Sequence, residues 1–173
     1  MQQKFNDKID FTADGEYLVG SDYRLQASFI SPFFQVKASR TSVSPSIAQN
    51  WIYNAAFRWN QSLENVSFDE LSGNLDFHTK KLYFRPNATI QRISNFAYFD
   101  TLASSKQATE VIGVFRTGFS AGGSHGKFEW STLVLANTKT GPDVIRMPSL
   151  VANAILALNV QYKKLLYMQF GVD

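Results

Sequence analysis

The sequence predicts an all-β fold: an antiparallel up-and-down transmembrane β-barrel, or about ten strands of a larger one. Three observations predict it. Apolar and polar residues alternate with a period of two in almost every segment. Several of these runs keep phase far beyond the ~5–6 residues of an ordinary strand and reach the ~9–11 that a tilted membrane strand needs. No stretch reaches the ~18 consecutive apolar residues of a transmembrane helix; the longest mildly apolar run, Val151 to Val160, is interrupted by Asn153 and Asn159.

The segments follow in order. The first strand is expected from Lys4 to Ala13, with Ile9, Phe11 and Ala13 on one face, and Asp14-Gly15 as a two-residue hairpin. The second runs from Glu16 to Ile30, its apolar face formed by Tyr17, Val19, Tyr23, Leu25, Ala27 and Phe29. Ser31-Pro32 breaks the pattern, and a third strand covers Phe33 to Val43, ended by Pro45. The fourth is placed from Gln49 to Asn60, with Trp51, Tyr53, Ala55, Phe57 and Trp59 on one face. The fifth and sixth, Val66 to Thr79 and Leu82 to Asn95, alternate most cleanly and are joined by Lys80-Lys81. An aromatic cluster (Phe96, Tyr98, Phe99) and a polar loop, Thr101 to Thr109, follow. The seventh strand covers Glu110 to Ser120 less cleanly, since Val111, Phe115 and Phe119 oppose Ile112, Val114 and Arg116. Ala121 to Gly126 reads as a Gly-rich turn. Lys127 to Asn137, Ser149 to Tyr162 and Leu165 to Asp173 complete the set, separated by a loop at 138–148 and a turn at Lys163-Lys164.

The connections alternate in character. Asp14-Gly15, Lys80-Lys81, the Gly-rich turn and Lys163-Lys164 are short, whereas 61–64, 101–109 and 138–148 are mostly longer. Short turns at one end and longer loops at the other is the outer-membrane pattern, with the short end periplasmic. Ser31-Pro32 and the stretch Ser44 to Ala48 depart from it.

Composition agrees. Charged residues are 18% of 173 and aromatics 14%; about 25% charge is usual for a soluble domain. Mean hydropathy is only −0.17, because each apolar position is balanced by a polar one. The net charge of +3 is spread along the chain without a basic run, which argues against nucleic-acid binding. There is no cysteine, hence no disulfide, thiolate metal site or cysteine nucleophile. The N-terminus lacks the apolar core of a secretory signal, and the chain stops in mid-strand at Val172-Asp173. An outer-membrane protein needs such a signal, so either it lies outside this sequence, or the chain is an internal piece of something larger, or the barrel reading fails; residues 1–173 are expected to form a single barrel segment.

No chemical motif survives its context. Gly118 to Gly122 matches G-x-S-x-G, but that motif needs a strand, an elbow and a helix, whereas Ser120 leads into more glycines and another strand. Gly122 to Lys127 fails as a phosphate loop, since Ala121 replaces the first glycine and Phe128 the Ser/Thr. His78 and His125 are the only histidines and do not make a metal-ligand set. The sequons at Asn60, Asn65 and Asn87 read as incidental. No catalytic residue, metal or cofactor is expected, and Ser120→Ala is expected to leave any esterase assay unchanged.

The remaining candidates are set by facing. Arg24, Lys37, Arg58, Asp76, Arg85 and Glu129 fall on the polar face and are candidates to line an aqueous lumen; Leu75, Phe77, Phe84 and Phe170 are candidates to face lipid. A second possibility keeps the strands but turns the apolar face inward, giving a soluble antiparallel barrel or sandwich that binds an apolar ligand. The bulk of Tyr23, Phe29, Trp51, Tyr53, Phe57 and Trp59 on one face argues against it.

Several segments resemble a known family. They are Phe57-Arg58-Trp59-Asn60, Leu82-Tyr83-Phe84-Arg85-Pro86, Ile93-Ser94-Asn95 with Tyr98-Phe99-Asp100, the run Gly141 to Leu150 (GPDVIRMPSL), and the tail Leu165 to Asp173 (LLYMQFGVD). The resemblance is to the Putative porin family of Bacteroidota, outer-membrane β-barrels of unassigned substrate. It implies an internal segment of a larger barrel in the outer membrane of a Gram-negative bacterium, acting as a passive pore or as a structural subunit of an envelope assembly. Its implied partners are the lipid bilayer and other outer-membrane or periplasmic proteins. It implies no catalytic residue.

Overall fold

The computed structural model describes residues 2–6, 9–18, 22–53, 58–162 and 166–172. It is an all-β, antiparallel, up-and-down sheet. The strands of the main sheet are β1 (Gln2–Asn6), β2 (Ile9–Leu18), β3 (Asp22–Ile30) and β4 (Phe34–Val43). A short helix α1 (Ile47–Asn50) and a small hairpin β5 (Trp51–Tyr53) with β6 (Arg58–Asn60) intervene. The sheet resumes with β7 (Val66–Leu75), the two-residue β8 (Phe77–His78) and β9 (Leu82–Ser94). A second small hairpin, β10 (Ala97–Phe99) with β11 (Ser105–Gln107), precedes β12 (Ile112–His125), β13 (Phe128–Thr140), β14 (Leu150–Tyr162) and β15 (Leu166–Val172). The order across the sheet is β1-β2-β3-β4-β7-β9-β12-β13-β14-β15, with β8 beside β9. Every neighbour is thus the next long strand in the chain.

The long strands differ from their expected limits for a common reason: alternation fixes facing, not where a ribbon turns. The expected strand 4–13 is divided between β1 and β2, which pair antiparallel with Lys4 opposite Asp10. Asp14-Gly15 is not a turn. Asp14 pairs with Gln26 and Gly15 with Leu25 inside the β2–β3 ladder, and a Cβ on Gly15 would meet Leu25 Cδ2 at 3.3 Å, so the leucine covers the glycine. The expected strand 16–30 is therefore the end of β2 plus β3; the connection 19–21 lies outside the described residues. The Gly-rich turn is likewise shorter than its composition suggests. Gly122 and Gly123 remain in β12, paired with Ser131 and Trp130; Gly126, at φ +61°, makes the turn with Lys127. A Cβ on Gly122 would lie 2.6 Å from the Tyr83 ring, so that glycine gives the ring its seat.

The largest correction concerns 49–60. No long strand forms there. Ser46 and Gln49 form a capping box, Ser46 Oγ accepting from Gln49 N (3.3 Å) and Gln49 Oε1 from Ser46 N (2.9 Å), which starts α1. Residues 51–53 and 58–60 then pair with each other; Ala55 and Phe57 lie outside the described residues, as does the expected turn Lys163-Lys164.

The connections sort cleanly into two ends. At one end lie 31–33, 76–81 and 126–127; at the other lie 44–65, 95–111 and 141–149. Ser31-Pro32 and Ser44 to Ala48 therefore obey the short-turn and long-loop pattern, because Asp14-Gly15 no longer shifts the count.

Cross-strand partners lie on one face of a sheet, so the registers define both faces. One carries Phe29, Val36, Leu71, Leu75, Phe77, Phe84, Ala88, Ile90, Phe115, Phe119, Val134, Leu156 and Phe170. The other carries Arg24, Gln26, Lys37, Ser72, Asn74, Arg85, Asn87, Thr89, Arg116, Ser120, Glu129 and Gln169. The apolar face does not fold onto itself as a core. Leu75, Phe84 and Phe170 are 43%, 44% and 59% exposed. All four candidate lipid-facing residues, Leu75, Phe77, Phe84 and Phe170, share it.

Close pairing of β12 and β13 depends on Gly118, where a Cβ would approach Val134 O to 2.1 Å and Leu135 Cδ2 to 2.8 Å. Gly118→Ala is expected to destabilise the sheet by about 1–3 kcal/mol through overpacking, whereas Gly171→Ala, whose Cβ meets Leu156 O at an ordinary 3.5 Å, should be nearly silent. Urea unfolding midpoints of the two variants in detergent micelles check this.

Candidate functional site: the polar face and its cap

On the polar face, aligned positions form rows across the strands. One row runs Ser28, Lys37, Ser72, Thr89, Arg116, Asn137. The next row towards the short-turn end runs Gln35, Asn74, Asn87, Gly118. Arg85 follows beside Ser120. Its Nε donates to Asp76 Oδ1 at 3.1 Å, its guanidinium lies 5.0 Å from the Tyr83 ring centroid, and His78 Nδ1 stands 3.5 Å from the same carboxylate oxygen. Arg116 Nε donates to the neutral Asn137 Oδ1 at 3.1 Å. An open concavity of about 700 Å³ is lined by Lys37, Asn74, Asp76, Arg85, Asn87 and Arg116, among others.

Of the six expected lumen candidates, the structure brings Lys37, Asp76 and Arg85 together here. Arg24 is on the same face but opposite Glu16 on β2, and Glu129 is opposite Ala157 near Tyr83 and Gln169. Arg58 is not on the sheet's polar face: it belongs to the β5–β6 hairpin, where its guanidinium lies 4.8 Å from the Tyr53 ring centroid. It was placed on that face only because 49–60 was read as one strand. Arg116 was missed as a candidate. Its parity with Ser120 announces it, but Ile112 and Val114 share that parity and blur the alternation.

Those two residues explain the apparent irregularity. At the long-connection end, the polar face turns apolar: Val66, Ile93, Ile112 and Val114 are buried there with Ala97, against Leu63, Phe68, Phe96, Val144, Ile145 and Met147. This cluster is where the long connections fold over the polar face. They are tied to each other by polar contacts. Gln107 Nε2 donates to Glu64 O (2.7 Å) and Asn95 O (2.8 Å), and its Oε1 accepts from Glu64 N (3.1 Å). Gln61 Nε2 donates to Ser105 O at 2.9 Å and Gln49 Nε2 to Ala97 O at 3.2 Å. Trp59 and Phe99 rings stand 6.0 Å apart. Connections 44–65, 95–111 and 141–149 thus make one cap.

The apolar face changes character at the same level. Going from Leu82 it stays apolar through Ile90, then meets a charged row in which Arg40 pairs with Asp69 and Asp69 with Arg92; Arg40 Nε is 3.4 Å from Asp69 Oδ1. Ten residues, 82–91, separate turn from charged rim on β9, the length needed to cross hydrocarbon on a tilted strand. Leu75, one residue beyond the Asn74–Asn87 pair, falls midway in that band.

Gly118 to Gly122 lie inside β12, so the G-x-S-x-G match makes no elbow. No group of three or more metal-ligating side chains occurs among the described residues.

Two faces of opposite character, an apolar band of membrane-crossing length and one long-looped end define a porin-like class of β-sheet protein. Residues 1–173 match the family model described as Putative porin, and the chain belongs to that family. Comparison with curated proteins and with solved structures gives no match.

The cap carries a titration-sensitive turn at Asp100. Asp100 Oδ1 accepts from Leu102 N and Ser104 N, both at 2.9 Å, and its Oδ2 pairs with Lys106 Nζ at 3.0 Å. The Lys106 ammonium, and then these amides, hold the Asp100 carboxyl below its ordinary 3.8. A lowered carboxyl pKa stabilises the ordered turn above the ordinary value and ceases to do so as pH falls through the lowered one. Protection of the Leu102 and Ser104 amides, measured as exchange relative to the intrinsic rate at each pH, should therefore hold down to about pH 4 and fall only below it. In Asp100→Asn the protection should be lower already at neutral pH.

Proposed function

We propose that this chain forms wall strands of an outer-membrane, porin-like β-barrel in a Gram-negative bacterium of the Bacteroidota, serving as a passive pore or as a structural subunit of an envelope assembly. The observation that carries the reading is the exposed apolar band: a soluble protein rarely leaves so large a contiguous apolar surface in water, and lipid is its natural solvent. The polar face then lines an aqueous space, with Arg24, Lys37, Asp76, Arg85, Arg116 and Glu129 setting its field. The short-turn end is assigned to the periplasm and the capped end to the exterior. In hydrocarbon the edges β1 and β15 require strand partners, because an unpaired backbone N–H or C=O there costs several kcal/mol. Other outer-membrane or periplasmic proteins are natural partners of such a wall; nucleic acid is not, and no cofactor or catalytic role is assigned to it.

Two variants test the facing. Arg at the middle of the lipid face costs about 2–4 kcal/mol and little in the lumen. Leu75→Arg should therefore abolish most of the folded, outer-membrane-inserted protein, while Asn74→Arg should leave it near the parent level, read as the SDS-resistant band of purified outer membranes. Equal insertion of both variants would overturn the proposal. Discrete ionic conductance of the intact barrel in planar bilayers tests the pore itself.

A further inference from the structure

Resting on the pore reading, we infer that the polar face holds a subsite for the oxyanion of a small solute, a carboxylate or phosphate group, between Lys37 and Arg116. These two cations occupy one row, on β4 and β12, with the hydroxyl residues Ser72 and Thr89 between them. Three interstrand spacings of ~4.8 Å separate their backbones by ~14 Å, a gap that two long side chains can close upon one anion. The adjacent row supplies amides from Gln35, Asn74 and Asn87, and all seven residues line one concavity. Amides and hydroxyls donate to an anion without competing for it.

The charge balance favours this ligand. Lys37 has no carboxylate partner among the described residues, and Arg116 spends one donor on a neutral amide. The one carboxylate at the concavity, Asp76, is already held by Arg85, with His78 beside it. Glu70 stands one row nearer the capped end, beside Ser39 and Gln91. The carboxylates of β2 (Asp10, Asp14 and Glu16) are two strands beyond Lys37. A fixed ring of charge of one sign in a confined aqueous path raises the local concentration of the opposite ion.

The test uses the intact barrel in planar bilayers at ~0.1 M KCl, where the screening length of ~10 Å leaves the effect visible. The reversal potential across a KCl gradient reads chloride against potassium preference, and inorganic phosphate is then titrated against the chloride current. The parent should prefer chloride and lose current to phosphate. Lys37→Gln with Arg116→Gln should lower the chloride preference about threefold or more and raise the half-blocking phosphate concentration similarly; each single variant should fall between. Arg40→Gln, at the rim of the apolar face, should change neither. SDS resistance of the unboiled band shows which of the compared barrels are folded, and the single variants carry the test if the double one is not. Conductance with an unchanged preference and unchanged phosphate block in folded variants overturns this inference and leaves the pore reading standing. No conductance from the intact barrel overturns both.

Discussion

The structure depends on one constraint: in a β-ladder every side chain is forced to the face opposite its neighbours, so a chain that alternates apolar and polar residues makes a sheet with two faces of opposite character. Here the ladder is antiparallel and runs through sequential neighbours from β1 to β15, so one register error would send a whole strand's apolar side to the polar face. The long registers, thirteen aligned pairs for β12–β13 and twelve for β9–β12, make such an error costly. The backbone hydrogen bonds are supplied by the ladder and the facing by alternation. Little conventional core is then required.

What core there is sits at one end. Ile112, buried completely, and its neighbours Val66, Ile93 and Val114 break the polar face where the long connections fold over it. The same residues have two roles: they close the polar side towards the cap, and they anchor connections that would otherwise lack apolar surface to bury. Polar side chains then bind these connections to one another. Gln107 alone bridges 64 and 95 through both its oxygen and its nitrogen. The cap is thus cross-linked between segments distant in sequence, while the sheet below it is local throughout.

That division explains what the sequence disclosed. Alternation at Leu71 to His78 and Leu82 to Gln91 revealed strands, facing and turn at Lys80-Lys81, because a single physical rule governs all three. The Asp14-Gly15 turn failed because a glycine can serve a strand as a seat for Leu25 as well as a turn, and a dipeptide does not distinguish the two. The segment 49–60 failed because Trp51, Tyr53 and Trp59 keep period two by coincidence across a helix end and a separate hairpin. Its true signal, Ser46 with Gln49 three residues later, was present and local. Arg116 escaped because cap residues and polar-face residues share a parity on β12. The pairing of Lys37 with Arg116 in one row needed registers across β7 and β9, which no single segment contains.

The strict neighbour order also bears on how the chain comes together. A sheet in which each long strand pairs with the next can zip one hairpin at a time, without waiting for distant segments to meet. The exceptions are the joints β4–β7 and β9–β12, where residues 44–65 and 95–111 must be looped out before the ladder continues; the first is the longer. Closing that longer excursion costs on the order of 2 kcal/mol more conformational entropy than the tight turn at 126–127. Helix α1 and the β5–β6 hairpin shorten the effective tether, so local order within the excursion lowers the largest kinetic hurdle on the path to the finished wall.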